Sequence, residues 1–192
     1  MHPIHDGVRA FQTERLPALR DHFKGLASGQ SPHTLFITCS DSRIDPALIT
    51  SAQPGQIFVS RNAGNLAPPY GEDVGTASAI EYAVAALKVE QIVVCGHSGC
   101  GAMGGLLAPE SLEALPQVAA WVRHAEATRA AVAGEAHPLP AAVRHNAATQ
   151  LENLRTHPTV AAALEAGTLR LEAWVYDIPT GEINIVSTVE GA

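Results

Sequence analysis

Cysteine is scarce in this chain, with three among 192 residues, all inside two short stretches. That excludes a disulfide scaffold and suits a reducing compartment. Charge is scarce too, at 16% of residues, less than a freely solvated surface carries, so partner subunits are expected to cover part of it. A basic excess is missing: the net charge is -7 and the pI near 5.7. Nucleic-acid binders gather Lys and Arg on one face, and nucleic acid is therefore not an expected partner. Long hydrophobic runs are absent as well. The N-terminal region is interrupted by His2, His5, Asp6, Arg9, Glu14, Arg15 and Arg20, leaving no apolar signal core and nothing of membrane-spanning length. The expected setting is the cytoplasm, with no membrane partner.

What is present is a chain with 46% apolar residues, long enough for one α/β domain with a full core and marginal for two. The expected fold is α/β: a mainly parallel β-sheet with crossover helices, an N-terminal helical arm and a C-terminal strand hairpin. A single domain over 1–192 is expected, with the arm at 1–28 and the core at 29–192.

In the arm, Ile4, Val8 and Phe11 form one helical stripe and Leu16, Leu19, Phe23 and Leu26 a second. Pro17 lies between them and predicts two short amphipathic helices. Gly29-Gln30-Ser31-Pro32 turns the chain into a short buried strand, Thr34 to Thr38. Asp45-Pro46 reads as an N-cap followed by the first helical residue. Gln56 to Ser60 is a second strand and Arg61 to Asn65 a polar loop. Asp73 to Lys88 is a largely buried helix, and Gln91 to Cys95 a third strand. From Gly101 to about Gly167 the chain is alanine-rich and helical, without catalytic spacing. Leu169 to Tyr176 and Glu182 to Ser187 form the hairpin around Pro179-Thr180-Gly181. Strands alternating with helices predict parallel pairing, with sites at the carboxyl ends of strands.

Two stretches at such ends carry the chemistry: Cys39-Ser40-Asp41-Ser42-Arg43 and His97-Ser98-Gly99-Cys100. Two thiolates, an imidazole and a carboxylate make a tetrahedral donor set suited to zinc rather than magnesium or calcium. Cys39 and Asp41 are two apart, on one face of an extended segment, while His97 and Cys100 flank Gly99 where a strand turns into a helix. A thiol at a helix N-terminus ionises more easily. Cys95 ends an apolar run and reads as a small buried hydrophobe. Asp41 has two possible roles, as fourth ligand or as partner of Arg43, the second leaving the metal open to water. Two thiolates and a neutral imidazole leave zinc formally neutral, so activity is expected to favour alkaline pH.

Cys39-Ser40-Asp41-Ser42-Arg43 together with His97-Ser98-Gly99-Cys100 resembles the β-class carbonic anhydrases. The likeness continues through Gln30, Phe58 to Asn65 and Ala79-Ile80-Glu81-Tyr82. It implies zinc on Cys39, His97 and Cys100, with Asp41 and Arg43 as a gating dyad. The implied activity is reversible hydration of carbon dioxide to bicarbonate and a proton by a metal-bound hydroxide. It also implies that Gln30 orients substrate from a neighbouring subunit, that Phe58 and Tyr82 line an apolar pocket, and that the protein is a homodimer or a dimer of dimers. Some members have a second, noncatalytic bicarbonate pocket built from a tryptophan, an arginine and a tyrosine. The matching positions here are Phe36, Arg61 and Tyr176, and the missing tryptophan argues against that pocket. The remaining histidines, His2, His5, His22, His33, His124, His137, His145 and His157, lack ligand spacing, leaving proton shuttling as a role for one of them. Two other readings share the motifs: a hydrolase of carbon disulfide or carbonyl sulfide, and a noncatalytic zinc-stabilised module in which Asp41 permanently fills the fourth position.

Overall fold

The computed structural model describes residues 3–191, so His2 lies outside the described residues. The chain divides into two compact units, Met1–Ser31 and Pro32–Ala192.

The described part of the first unit is helical from Pro3 to Leu26. Helix α1 (Pro3–Ala10) passes into a π turn at Phe11–Arg15 and then into α2 (Leu16–Leu26). Pro17 stands where the π turn passes into α2, and the helical path runs through it without a break. None of these helical residues is buried.

The second unit is built on a five-stranded sheet in the order β2-β1-β3-β4-β5. Its strands are β1 (Thr34–Cys39), β2 (Ile57–Asn62), β3 (Gln91–His97), β4 (Arg170–Tyr176) and β5 (Ile183–Val189). The pairs β1–β2, β1–β3 and β3–β4 are parallel, and only the hairpin β4–β5 is antiparallel. β1 and most of β3 are buried residue by residue, as central parallel strands covered on both faces must be. Strand β2 runs two residues beyond the expected end. The main chain at Arg61 and Asn62 pairs with Thr38 and Cys39, so the polar loop starts only at Ala63.

Among the described residues seven α-helices complete this unit: α3 (Pro46–Thr50), α4 (Val74–Glu81), α5 (Gly101–Leu107), α6 (Pro116–Val122), α7 (Glu126–Ala131), α8 (Pro138–Arg155) and α9 (Pro158–Glu165). Asp45 caps α3, its carboxylate accepting from the N–H groups of Ala47 and Leu48. Helix α4 continues as a π turn, Tyr82–Ala86. Leu35, Ile37, Ile92, Val94, Leu171 and Ala173 bury one sheet face together with Ile80, Ala147, Leu151 and Leu154. On the opposite face Phe36, Val93 and Cys95 pack with Ile44. A second apolar group, drawn from α5 to α8, closes around Cys39 and Cys100. Among the described residues no helix is long and apolar enough to cross a membrane.

Candidate metal centre

The parallel register decides where the two motifs end. Thr38 lies opposite Cys95 on the neighbouring strand, so Cys39 and His97 leave the sheet side by side at its carboxyl edge. Gly99 takes a left-handed φ of 65°, which glycine adopts without strain. That bend returns Cys100 to the edge as the residue capping α5.

Cys39 Sγ, Cys100 Sγ and the His97 ring thereby converge, with one donor atom from each within 4.8 Å of the others. All three residues are buried. Nδ1 of His97 lies 3.1 Å from the Ser98 carbonyl, an acceptor, so Nδ1 carries the proton and Nε2 presents a lone pair to the thiols. Among the described residues, His97 Nε2 and Asn65 Nδ2 are the buried side-chain polar atoms without a hydrogen-bond partner. A buried imidazole nitrogen left unpaired beside two thiols fits a soft divalent ion, and zinc best.

The electrostatics agree with that donor set. The hydrogen bond from Cys100 lowers the Cys39 thiol most. Burial works the other way, and His97 and the N–H groups of Gly64 and Asp41 lower it further. The same shared proton, together with burial, raises Cys100. One thiol of the pair is thus ready to ionise, and a cation displaces the proton on the other. At His97 burial opposes the charged form, but the neighbouring Cys39 and Asp41 outweigh it and raise the group. Cys95 is different: burial pushes it up to about 12, and it belongs to the packed core behind the site.

Asp41 is held by Arg43. Its Oδ1 accepts from the Arg43 backbone N–H and Nε, both at 2.9 Å, and its Oδ2 from Nη2 at 2.7 Å. The guanidinium hydrogen bond keeps the carboxyl well below the usual carboxylate range. Arg43 also donates to the Gly99 carbonyl at 3.1 Å, joining the two motifs. Asp41 Oδ2 stands 3.7 Å from His97 Nε2. Asp41 is therefore paired with Arg43 while standing near the donor set.

Phe58 and Tyr82 lie with ring centroids 5.9 Å apart. Phe58 is half-buried on β2, and Tyr82 is exposed where α4 ends. Gln30 belongs to the first unit, at its exposed end. A cavity of about 720 Å³ opens at the other end of the sheet, between His33, Gln91 and Arg170, and holds none of the donors.

Arg61 and Phe36 differ from what their motif positions suggested. The Arg61 guanidinium donates to three carbonyls, those of Cys39 (3.0 Å), Asp41 (2.7 Å) and Ile44 (3.0 Å), and so braces the segment bearing the first motif. Phe36 packs edge-on against Trp174, centroids 5.9 Å apart, so an indole missing at position 36 stands beside it on β4. The Trp174 N–H is taken by Glu172 at 2.7 Å. Among the described histidines outside the motif, His33 pairs with Thr34, His124 with Glu72, His145 with Thr128 and Thr149, and His157 with the Pro68 carbonyl.

The helical stretch after Gly101 carries functional neighbours that motif spacing does not reveal. Asn146 and Gln150 on α8 and Trp121 on α6 hold the main chain of the 63–67 loop. The readable signal is that Asn146 and Gln150 recur at helical spacing inside the apolar stripe of Ala142, Val143, Ala147, Leu151 and Leu154.

The comparisons with known proteins agree with this architecture. Residues 34–183 match the family model described as carbonic anhydrase. The chain is 54% identical over 190 residues to a carbonic anhydrase of Pseudomonas aeruginosa, covering 96% of this chain and 86% of the relative. It is 48% identical to one of Synechococcus elongatus, covering 97% and 72%. The solved structure of the β-carbonic anhydrase CcaA superposes with a TM-score of 0.93 at 44% identity, covering 98% of this chain and 91% of that one. A tetrameric β-carbonic anhydrase from Sordaria macrospora superposes with a TM-score of 0.86 at 31% identity, covering 98% of each. A parallel sheet that brings Cys39, His97 and Cys100 together at its carboxyl edge, and this degree of likeness over nearly the whole chain, make the protein a member of the β-class carbonic anhydrase family.

Proposed function

We propose that the chain interconverts carbon dioxide and bicarbonate at a zinc ion held by Cys39, His97 and Cys100. The observation that carries this reading is the buried, unpaired His97 Nε2 facing two thiols, beside a carboxylate already bound by Arg43. Zinc held there supplies a Lewis acid that acidifies water for attack on carbon dioxide.

The remaining work falls to the chain itself. Arg43 grips both oxygens of Asp41 and keeps the carboxylate ionised, with Oδ2 standing 3.7 Å from His97 Nε2. An ionised Oδ2 can accept an O–H hydrogen bond but offers none, so it favours an oxygen that still carries a proton, such as the hydroxyl of bicarbonate. With Asp41 held by that grip, a zinc ion on the three donors would stay open to solvent, which argues against the noncatalytic module. On the family likeness we assign Phe58 and Tyr82 to an apolar pocket, and Gln30 to orienting substrate in a neighbouring subunit. A homodimer or dimer of dimers supplies that neighbour. Exposed Val59 on the edge strand β2 and exposed Leu48, Val74 and Tyr82 support such an assembly, as does the tetrameric relative. We assign the protein to the cytoplasm on its reduced, uncrosslinked cysteines.

The test is a carbon dioxide hydration assay across pH, run beside carbon disulfide and carbonyl sulfide, with metal analysis of the parent, Asp41→Ala and Cys100→Ser. Hydration by a parent carrying one zinc per chain, lost in Cys100→Ser, is expected. Turnover of the sulfur compounds alone would make it a hydrolase. A zinc-loaded parent inactive at every pH would make the metal purely structural.

A further inference from the structure

A chain of buried side-chain amides runs from α8 to the donor set. Gln150 Oε1 accepts from the Ala67 backbone N–H at 2.8 Å. Since Ala67 N–H can only donate, the Gln150 amide is oriented, and its Nε2 donates to Asn146 Oδ1 at 2.9 Å. The Asn146 amide is oriented in turn, and Nδ2 donates to the Gly64 carbonyl at 2.9 Å. On its other side Gly64 donates its own N–H to Cys39 Sγ at 3.4 Å. Asn146 and Gln150 are 0% and 1% exposed, so solvent cannot replace either bond. The polarity of the whole relay is set at its two ends, by a main-chain donor at Ala67 and a main-chain acceptor at Gly64.

Gly64 cannot hold this geometry by itself. Its φ is +83°, and a Cβ there would stand 3.2 Å from both Ala102 Cβ and Met103 Cε. Glycine is therefore required at this point, and glycine is the residue least able to fix its own backbone. The same helix also reaches the second motif. Val143 lies where a Cβ on Gly96 would meet its Cγ1 at 3.2 Å, one residue before His97. Helix α8 thus touches both segments that bear donors without supplying one.

We propose that Asn146 and Gln150 are positioning residues that aim the Gly64 N–H at the Cys39 sulfur and so set how strongly that thiolate holds and donates to the metal. The inference rests on the zinc site proposed above. An N–H directed at a ligating sulfur withdraws charge from it and fixes its orientation, and partners of this outer kind govern metal affinity.

The test compares zinc affinity, by competition with a chromophoric chelator, and the thiolate-to-cobalt absorption of the cobalt-substituted protein. Parent, Asn146→Leu, Gln150→Glu and Leu151→Ala are measured. Gln150→Glu keeps the acceptor for Ala67 and, measured at a pH where its carboxyl is ionised, places an acceptor against Asn146 Oδ1, reversing the relay with little change in volume. Leu151→Ala empties core space on the same helix while keeping both amides of the relay. Asn146→Leu and Gln150→Glu are expected to hold zinc roughly 10- to 100-fold more weakly and to shift the cobalt band. Leu151→Ala should lower thermal stability yet keep the parent's affinity within about twofold and its spectrum unchanged. Should Asn146→Leu fail to fold, Gln150→Glu carries the test alone. A zinc-binding parent matched in affinity and spectrum by the relay variants, or by variants no weaker than Leu151→Ala, overturns this inference alone. A parent that takes up neither metal overturns the zinc site itself.

Discussion

At the scale of single residues, the site is governed by which groups are free to change charge. Asp41 is kept ionised by Arg43. A carboxylate whose folded pKa is depressed stabilises the protein above its unfolded value, about 3.9, and that contribution is lost as the pH falls below it. Asp41→Asn should therefore lower the urea midpoint at pH 6, modestly because the Arg43 side chain is 52% exposed, with the difference shrinking below about pH 4. Arg43→Ala should retain zinc but lose roughly 10- to 100-fold of carbon dioxide hydration, because the ligands remain while Asp41 Oδ2, 3.7 Å from His97 Nε2, is released to approach the metal. Metal content and rate measured on one preparation separate the two effects. Cys95 gives the opposite sign. Its thiol is raised from 9.0 to about 12 by burial, so its contribution is complete below pH 9 and declines between 9 and about 12 as the unfolded chain ionises. The decline is at most about 1.4 kcal/mol per pH unit, and Cys95→Ala should remove that part of the alkaline slope.

At the scale of elements, short segments with strong local signals were legible, and their ends were not. Asp45-Pro46 announces α3, and the Asp45 carboxylate does accept from two N–H groups of its first turn. Asp45→Ala should cost about 1 kcal/mol in chemical denaturation and loosen the segment 39–44 that α3 follows. Strand ends were misjudged because pairing, not side-chain character, sets them: Arg61 and Asn62 are polar, yet their main chain completes the ladder beside Thr38 and Cys39. Pro17 suggested a break in the arm, but it falls where a π turn passes into α2 and the helical path continues. Helix α8 (Pro138–Arg155) was legible only as part of a helical stretch and not as a contributor to the site. Its role depends on which loop Asn146 and Gln150 meet, and a sequence carries no sign of that.

At the scale of the whole molecule, the sheet ends in two edges, β2 and β5, and exposed Val59 marks the first as apolar. Such an edge is a liability in a monomer. Val59→Lys is expected to shift the protein towards smaller species in sedimentation velocity and to reduce activity with them, if Gln30 acts in a neighbouring subunit as proposed. The chain by itself determined the fold class, because alternating apolar strands and helices leave parallel pairing as the compact solution. It also determined the family, through two motifs whose residue types and spacing rarely occur together. Only the tertiary structure decided that Asp41 faces Arg43, that Arg61 binds three carbonyls and that the Gly64 N–H reaches Cys39. The last two are contacts between segments distant in the chain, and their geometry depends on register and helix docking, which local sequence does not encode.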